Sequence, residues 1–133
     1  MITAYKSTGL FVIMTMLFLL SSCDPLHYIE FINESDVEVS VYIQVDTSME
    51  FLPLEEMRRK EIVTIKVAPN TSEIIDFGMG TWSDYALEEA TKVIKRVDIQ
   101  SSQEVKRYQG QAELMEAFRQ HLKGKTAIVF KME

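Results

Sequence analysis

Cys23 has the greatest chemical potential in this chain, being the one cysteine among 133 residues. A thiolate is the good nucleophile among small side chains, but a lone sulfur builds no disulfide, no cysteine-based metal centre and no C-x-x-C redox pair. The other reactive residues are scattered. His27 and His121 are the two histidines, and no H-x-x-x-H or H-E-x-x-H spacing joins them, so they read as surface or interfacial residues rather than metal ligands. Neither G-x-S-x-G nor S-x-x-K occurs, and Gly78-Met79-Gly80 lacks the following lysine and serine or threonine of a phosphate loop. Glu88-Glu89 could be imagined as a glycosidase pair, but adjacent helical residues point apart, and the two read as solvated. Trp82 with Tyr85 could form an exposed platform for a sugar or peptide. The competing reading of Trp82 is a core anchor where helix meets sheet, because large aromatics are mostly buried on average. No catalytic, cofactor-binding or metal residue is assigned, and no cofactor is expected.

What precedes Cys23 gives its sulfur a purpose. Lys6 is the only charge of a short leader, Leu10 to Leu20 (LFVIMTMLFLL) is unbroken and apolar, and Ser21 and Ser22 are small. Charged leader, apolar run and small-residue cleavage site are the parts of a secretory signal. The uncharged stretch Ser7 to Cys23 would make a helix of roughly 25 Å at about 1.5 Å per residue, short of a hydrocarbon core of about 30 Å. A permanent spanning helix is therefore the weaker reading. Leu20-Ser21-Ser22-Cys23 resembles the lipobox of bacterial lipoproteins. The resemblance implies a diacylglyceryl thioether on Cys23, cleavage between Ser22 and Cys23, and acylation of the new amino group. Two or more chains hold firmly where one does not, each buried methylene adding about 0.8 kcal/mol. Asp24 after the cysteine resembles an inner-membrane retention signal, and an acid-rich run that would favour cell-surface export is missing from Pro25-Leu26-His27. The expected location is the outer membrane facing the periplasm, with inner membrane and cell surface as the other two.

These signals divide the chain into a signal peptide at 1–22, a lipidated tether at 23–26 and a single globular domain at 27–133. Removing residues 1–22 leaves 111 residues, enough for one core. It also removes Lys6, so the formal net charge moves from −6 to −7. An acidic surface repels phosphate backbones and argues against a nucleic-acid partner.

The elements follow from period. Tyr28 to Asn33 is aromatic and β-branched and ends in the turn formers Asn33 to Asp36. Val37, Val39, Val41, Ile43 and Val45 alternate with polar residues, as in a half-buried antiparallel strand. These two runs are expected to form a hairpin. Pro53 to Lys60 suits a short helix, with Arg58-Arg59-Lys60 read as a neutralised helix end rather than a patch for anionic lipid. Val63, Ile65 and Val67, then Ile74, Ile75 and Phe77, flank Ala68 to Ser72 as a second expected hairpin. Ser83 or Thr81 can cap a helix with apolar Leu87, Ala90, Ile94 and Val97. Val97 to Gln100 and Glu104 to Tyr108 read as strands at an edge. Leu114, Met115, Phe118 and Leu122 line a second helix stopped by Gly124, and Thr126 to Met132 closes the chain as a central strand. Asn33-Glu34-Ser35 and Asn70-Thr71-Ser72 match a glycosylation pattern but read as turns.

The expected fold is α+β and mainly β: an antiparallel sheet or small β-sandwich of six to seven strands with two helices, at about 83–96 and 111–123. The order of lipobox, short tether, YIEFINES, VEVSVYIQV and VAPNTSEII resembles small bacterial lipoproteins with a sandwich-like domain, a likeness that implies no activity. The expected function is a membrane-anchored, non-catalytic binding or structural module, its partners the membrane through acyl groups on Cys23 and an envelope protein. The alternative is a small hydrolase or carbohydrate-binding accessory using Trp82 and the histidines.

Overall fold

The structure is a computed structural model and describes residues 25–49 and 60–133. The expected signal peptide, Cys23, Asp24 and residues 53–59 of the expected short helix lie outside the described residues. In chain order the elements are β1 (Leu26–Asn33), β2 (Val39–Val45), β3 (Ile62–Val67), β4 (Thr71–Met79), α1 (Asp84–Val93), β5 (Ile94–Gln100), β6 (Val105–Gln109), α2 (Gln111–Gln120), β7 (Leu122–Lys123) and β8 (Ala127–Met132).

Two four-stranded sheets result, ordered β4-β1-β8-β7 and β3-β2-β5-β6. The described residues thus form the mainly-β sandwich with two helices that the alternation predicts, with β7 a two-residue addition. Inner faces carry the apolar half of each period: Val39, Val41, Ile43 and Val45 are at most 2% exposed, with Ile29 and Phe31 opposite them in the other sheet. Phe31 and Phe130, register partners on neighbouring strands, stack with centroids 5.5 Å apart. Phe118 of α2 meets Phe130 edge-on at 6.2 Å, so α2 packs its apolar face into the same core.

The pairing differs from the two expected hairpins. β1 pairs with β4 antiparallel and with β8 parallel, whereas β2 pairs with β3 and β5. Both links, residues 34–38 and 68–70, carry the chain across the core from one sheet to the other. The physical reason at the first crossing is Asn33. Its side chain is fully buried, and its Nδ2 donates to Val37 O at 2.7 Å and to Val67 O at 3.0 Å. Its Oδ1 accepts from Ser35 N–H at 2.9 Å and from Ser35 Oγ at 2.6 Å. One amide thereby meets all its hydrogen-bonding capacity and joins the end of β1 to the end of β3 in the opposite sheet. Val37, expected to start the second strand, lies in this link and is 43% exposed.

The helices are shorter than expected. Ser83 caps α1, its Oγ accepting from Ala86 N–H at 3.2 Å, but the helix stops at Val93 rather than at residue 96. Val93 and Ile94 are β-branched and Ile94 is already extended, so the buried positions Ile94 and Val97 belong to β5. Likewise α2 ends at Gln120, and Leu122 and Lys123 pair with β8 before Gly124 turns the chain. β6 is the polar edge of its sheet, β5 its interior neighbour, and β8 runs between β1 and β7.

Asn33→Ala is expected to lower stability by about 2 kcal/mol, because buried carbonyls lose their donors. Asn33→Asp, which sets a carboxylate against those same carbonyls, is expected to cost more. Urea midpoints of the two variants beside the parent check both the loss and the order.

Candidate functional site

The described part of the chain opens at what we call the proximal end of the sandwich, where β1 and β8 begin. Pro25 O accepts Gly80 N–H at 2.8 Å, and Leu26 is the register partner of Met79, so β1 starts inside the stretch expected as tether. Between Leu26 and Tyr28 the ladder slips, with β4 contributing the extra residue. Gly78 takes φ 87° at this bulge, and Asp76 Oδ1 accepts its N–H at 2.7 Å.

Behind that bulge sits an aromatic plug. His27 is buried, its Nδ1 lies 2.8 Å from Gly78 O, and its ring meets Trp82 edge-on at 4.7 Å. A carbonyl oxygen only accepts, so Nδ1 carries the proton in this contact. Phe77 completes the cluster, 4.9 Å from Trp82. Trp82 is 5% exposed; its Nε1–H donates to Tyr28 O at 3.1 Å and its backbone N–H to Lys125 O at 2.7 Å. Trp82 therefore occupies the position of a core anchor joining β1, the turn before β8 and the segment that leads into α1. Tyr85 is 72% exposed on α1. The two expected platform residues do not share an open face, because the indole is covered by His27 and Phe77.

His121 belongs to a separate cluster, half-buried with its ring 4.4 Å from Phe130 and 6.5 Å from Tyr108. Burial holds its pKa below the ordinary value, a hydrogen bond to the Val129 backbone opposes that, and the charge of Lys106 adds to the lowering. The histidines are thus buried or half-buried packing residues, not surface ones. Glu88 and Glu89 both face Lys92, at 3.7 and 3.1 Å. Among the described residues no three His, Cys, Asp or Glu side chains gather as a metal site.

One charged cluster escaped notice in the sequence. Asp98 on β5 is 3% exposed and takes a two-pronged contact from Arg107, with Nε to Oδ1 at 2.9 Å and Nη2 to Oδ2 at 3.0 Å. Arg96 Nε lies 3.3 Å from Oδ2. The hairpin register places Asp98 directly opposite Arg107. The usable signal was the turn: with Ser101 facing Glu104, three residues back on one strand meets three residues on along the other.

Among the described residues, concavities lie at the opposite, distal end. A cavity of about 40 Å³ between the sheets is lined by Ser35, Ile99, Ser101, Glu104, Lys106 and Glu133 among others, space for a water molecule or two rather than an organic substrate. A shallow depression of about 420 Å³ runs over Glu30, Ile32, Glu34 and Thr71. Trp82, Tyr85, His27 and His121 line neither of them. Set beside known proteins, the chain matches no protein-family model, no curated protein and no solved structure.

Two outcomes follow for these clusters. His121 binds its proton less readily folded than unfolded, so its share of stability is fully present above roughly pH 6.5 and falls as the pH drops below it. His121→Gln is expected to flatten that fall in urea midpoints measured across the window, whereas Asp46, held low by Ser48 hydrogen bonds, keeps its share throughout that window and loses it only in the more acidic carboxylate range. Asp98→Asn is expected to cost about 1–3 kcal/mol, since two arginines lose one shared counter-charge; thermal unfolding of the variant beside Arg107→Gln reads it out.

Proposed function

We propose that the chain is a lipid-anchored lipoprotein of the bacterial envelope and that its domain is a non-catalytic binding or structural module. The observation that carries this reading is Leu20-Ser21-Ser22-Cys23, an apolar residue and two small ones before the only sulfur nucleophile, at the end of a leader with one charge and a long apolar run. Acyl groups on Cys23 hold the domain at the bilayer, on the outer membrane facing the periplasm, and an envelope protein is its second partner.

Two structural facts support the non-catalytic half of the reading. Among the described residues, the side chains that could have done chemistry are engaged in packing or pairing: His27 and Trp82 fill the proximal end, His121 covers Phe130, and Asp98 neutralises Arg107. A hydrolase or sugar-binding site would need convergent polar groups in a pocket of several hundred Å³. The depression of that order is shallow, and the candidate aromatic and imidazole groups lie outside it.

Replacement of the nucleophile tests the anchor. Cys23→Ala is expected to leave the leader uncleaved and to remove the acylated terminal peptide from the mass spectrum, while the domain folds unchanged by circular dichroism. Unaltered processing and detergent partitioning in that variant would overturn the reading.

A further inference from the structure

We propose that the proximal end of the sandwich rests directly on the bilayer, with Leu26 and Met79 seated in the headgroup layer. This rests on the acylation reading and adds an orientation that acylation alone does not dictate. Leu26 is 53% exposed and Met79 is 73% exposed. They are register partners across β1 and β4, so their side chains stand on the same side of the sheet, about 5 Å apart. A single exposed apolar residue is ordinary, but this pair has a distinguishing address. Cys23 lies three Cα steps before Leu26, and a fully extended chain covers at most about 11 Å in that distance.

That reach decides the matter against the thickness of the interface. A hydrocarbon core of about 30 Å within a bilayer of about 40–45 Å leaves roughly 5–8 Å of headgroup on each side. With acyl chains drawing Cys23 to the hydrocarbon boundary, Leu26 and its partner Met79 are held within or just above the headgroups. Hydrogen bonding from Gly80 N–H to Pro25 O at 2.8 Å fixes the incoming chain to the domain and shortens the free tether further.

Two lysines at this end suit such a surface, with the carboxylates of Asp24 and Asp76 set against them. Lys123, at the end of β7, and Lys125, in the turn before β8, are exposed, and Lys123 pairs with Ala127, itself the neighbour of Tyr28. Lysines beside apolar residues suit anionic headgroups. Of the nearby acids, Asp84 faces Arg119 at 3.4 Å, and Asp76 accepts the Gly78 N–H.

The experiment uses the full chain, processed in cells and extracted with its lipid. Met79→Cys, and Val37→Cys at the distal end as control, are labelled with the environment-sensitive fluorophore NBD. Each is reconstituted into vesicles of phosphatidylethanolamine and phosphatidylglycerol, with and without a doxyl-labelled lipid quencher. The expected result is a blue shift and loss of most emission at position 79 with neither change at position 37. Three results overturn the proposal. Vesicles that float with the protein while position 79 stays unquenched leave the anchor standing and remove the orientation. A blue shift that appears without lipid and grows with protein concentration assigns the patch to a second copy of the chain. Protein that neither floats nor shows an acylated terminal peptide removes the anchor as well.

Discussion

A single carboxamide decides how the two sheets are joined. Asn33 sits at the end of β1 with no exposed surface, facing one acceptor in the opposite sheet and one in the link, and its four hydrogen bonds leave the link through Ser35 and Val37 one well-satisfied path. With β2 sent across the core, the flanks of β1 are open to β4 and β8. The β1 to β8 ladder then brings the first described strand beside the last in parallel register, Phe31 on Phe130. Everything between them, two helices included, folds within that closure, and long-range contacts of this kind are expected to make folding slow for the domain's size.

The sequence was informative about faces and silent about neighbours. Alternation in Val39 to Val45 reports that one side is dry, which is true of the strand whichever element pairs with it. A five-residue link rich in turn formers closes a hairpin and an inter-sheet crossing equally well. What separates them is whether a buried amide finds acceptors in the opposite sheet, a fact that residue spacing does not carry. The β5 to β6 hairpin, whose two strands the sequence marks without pairing them, follows from a short polar turn that leaves little choice of register.

Helix ends were misjudged for a related reason. Leu87, Ala90, Ile94 and Val97 keep a helical spacing through a real change of structure, since both helix and strand bury them. The β-branched pair Val93-Ile94 was the better guide. Among the reactive side chains, the readings of Trp82 as an anchor and of Glu88 and Glu89 as ordinary charges agree with their contacts, while His27 proved far more enclosed than its place beside the tether suggested. Its neighbour Gly80 takes φ 136°, a backbone angle that favours glycine, while a side-chain carbon there would meet the imidazole only at an ordinary contact distance of 3.5 Å.

Parallel pairing of β1 and β8 also sets the polarity of the whole object. β1 climbs eight residues, about 26 Å, and β8 climbs beside it, so Glu133 emerges at the pole opposite Leu26. Any polypeptide appended after Glu133 departs upward from that summit, and cargo fused there would be displayed to solvent without crowding the lower pole.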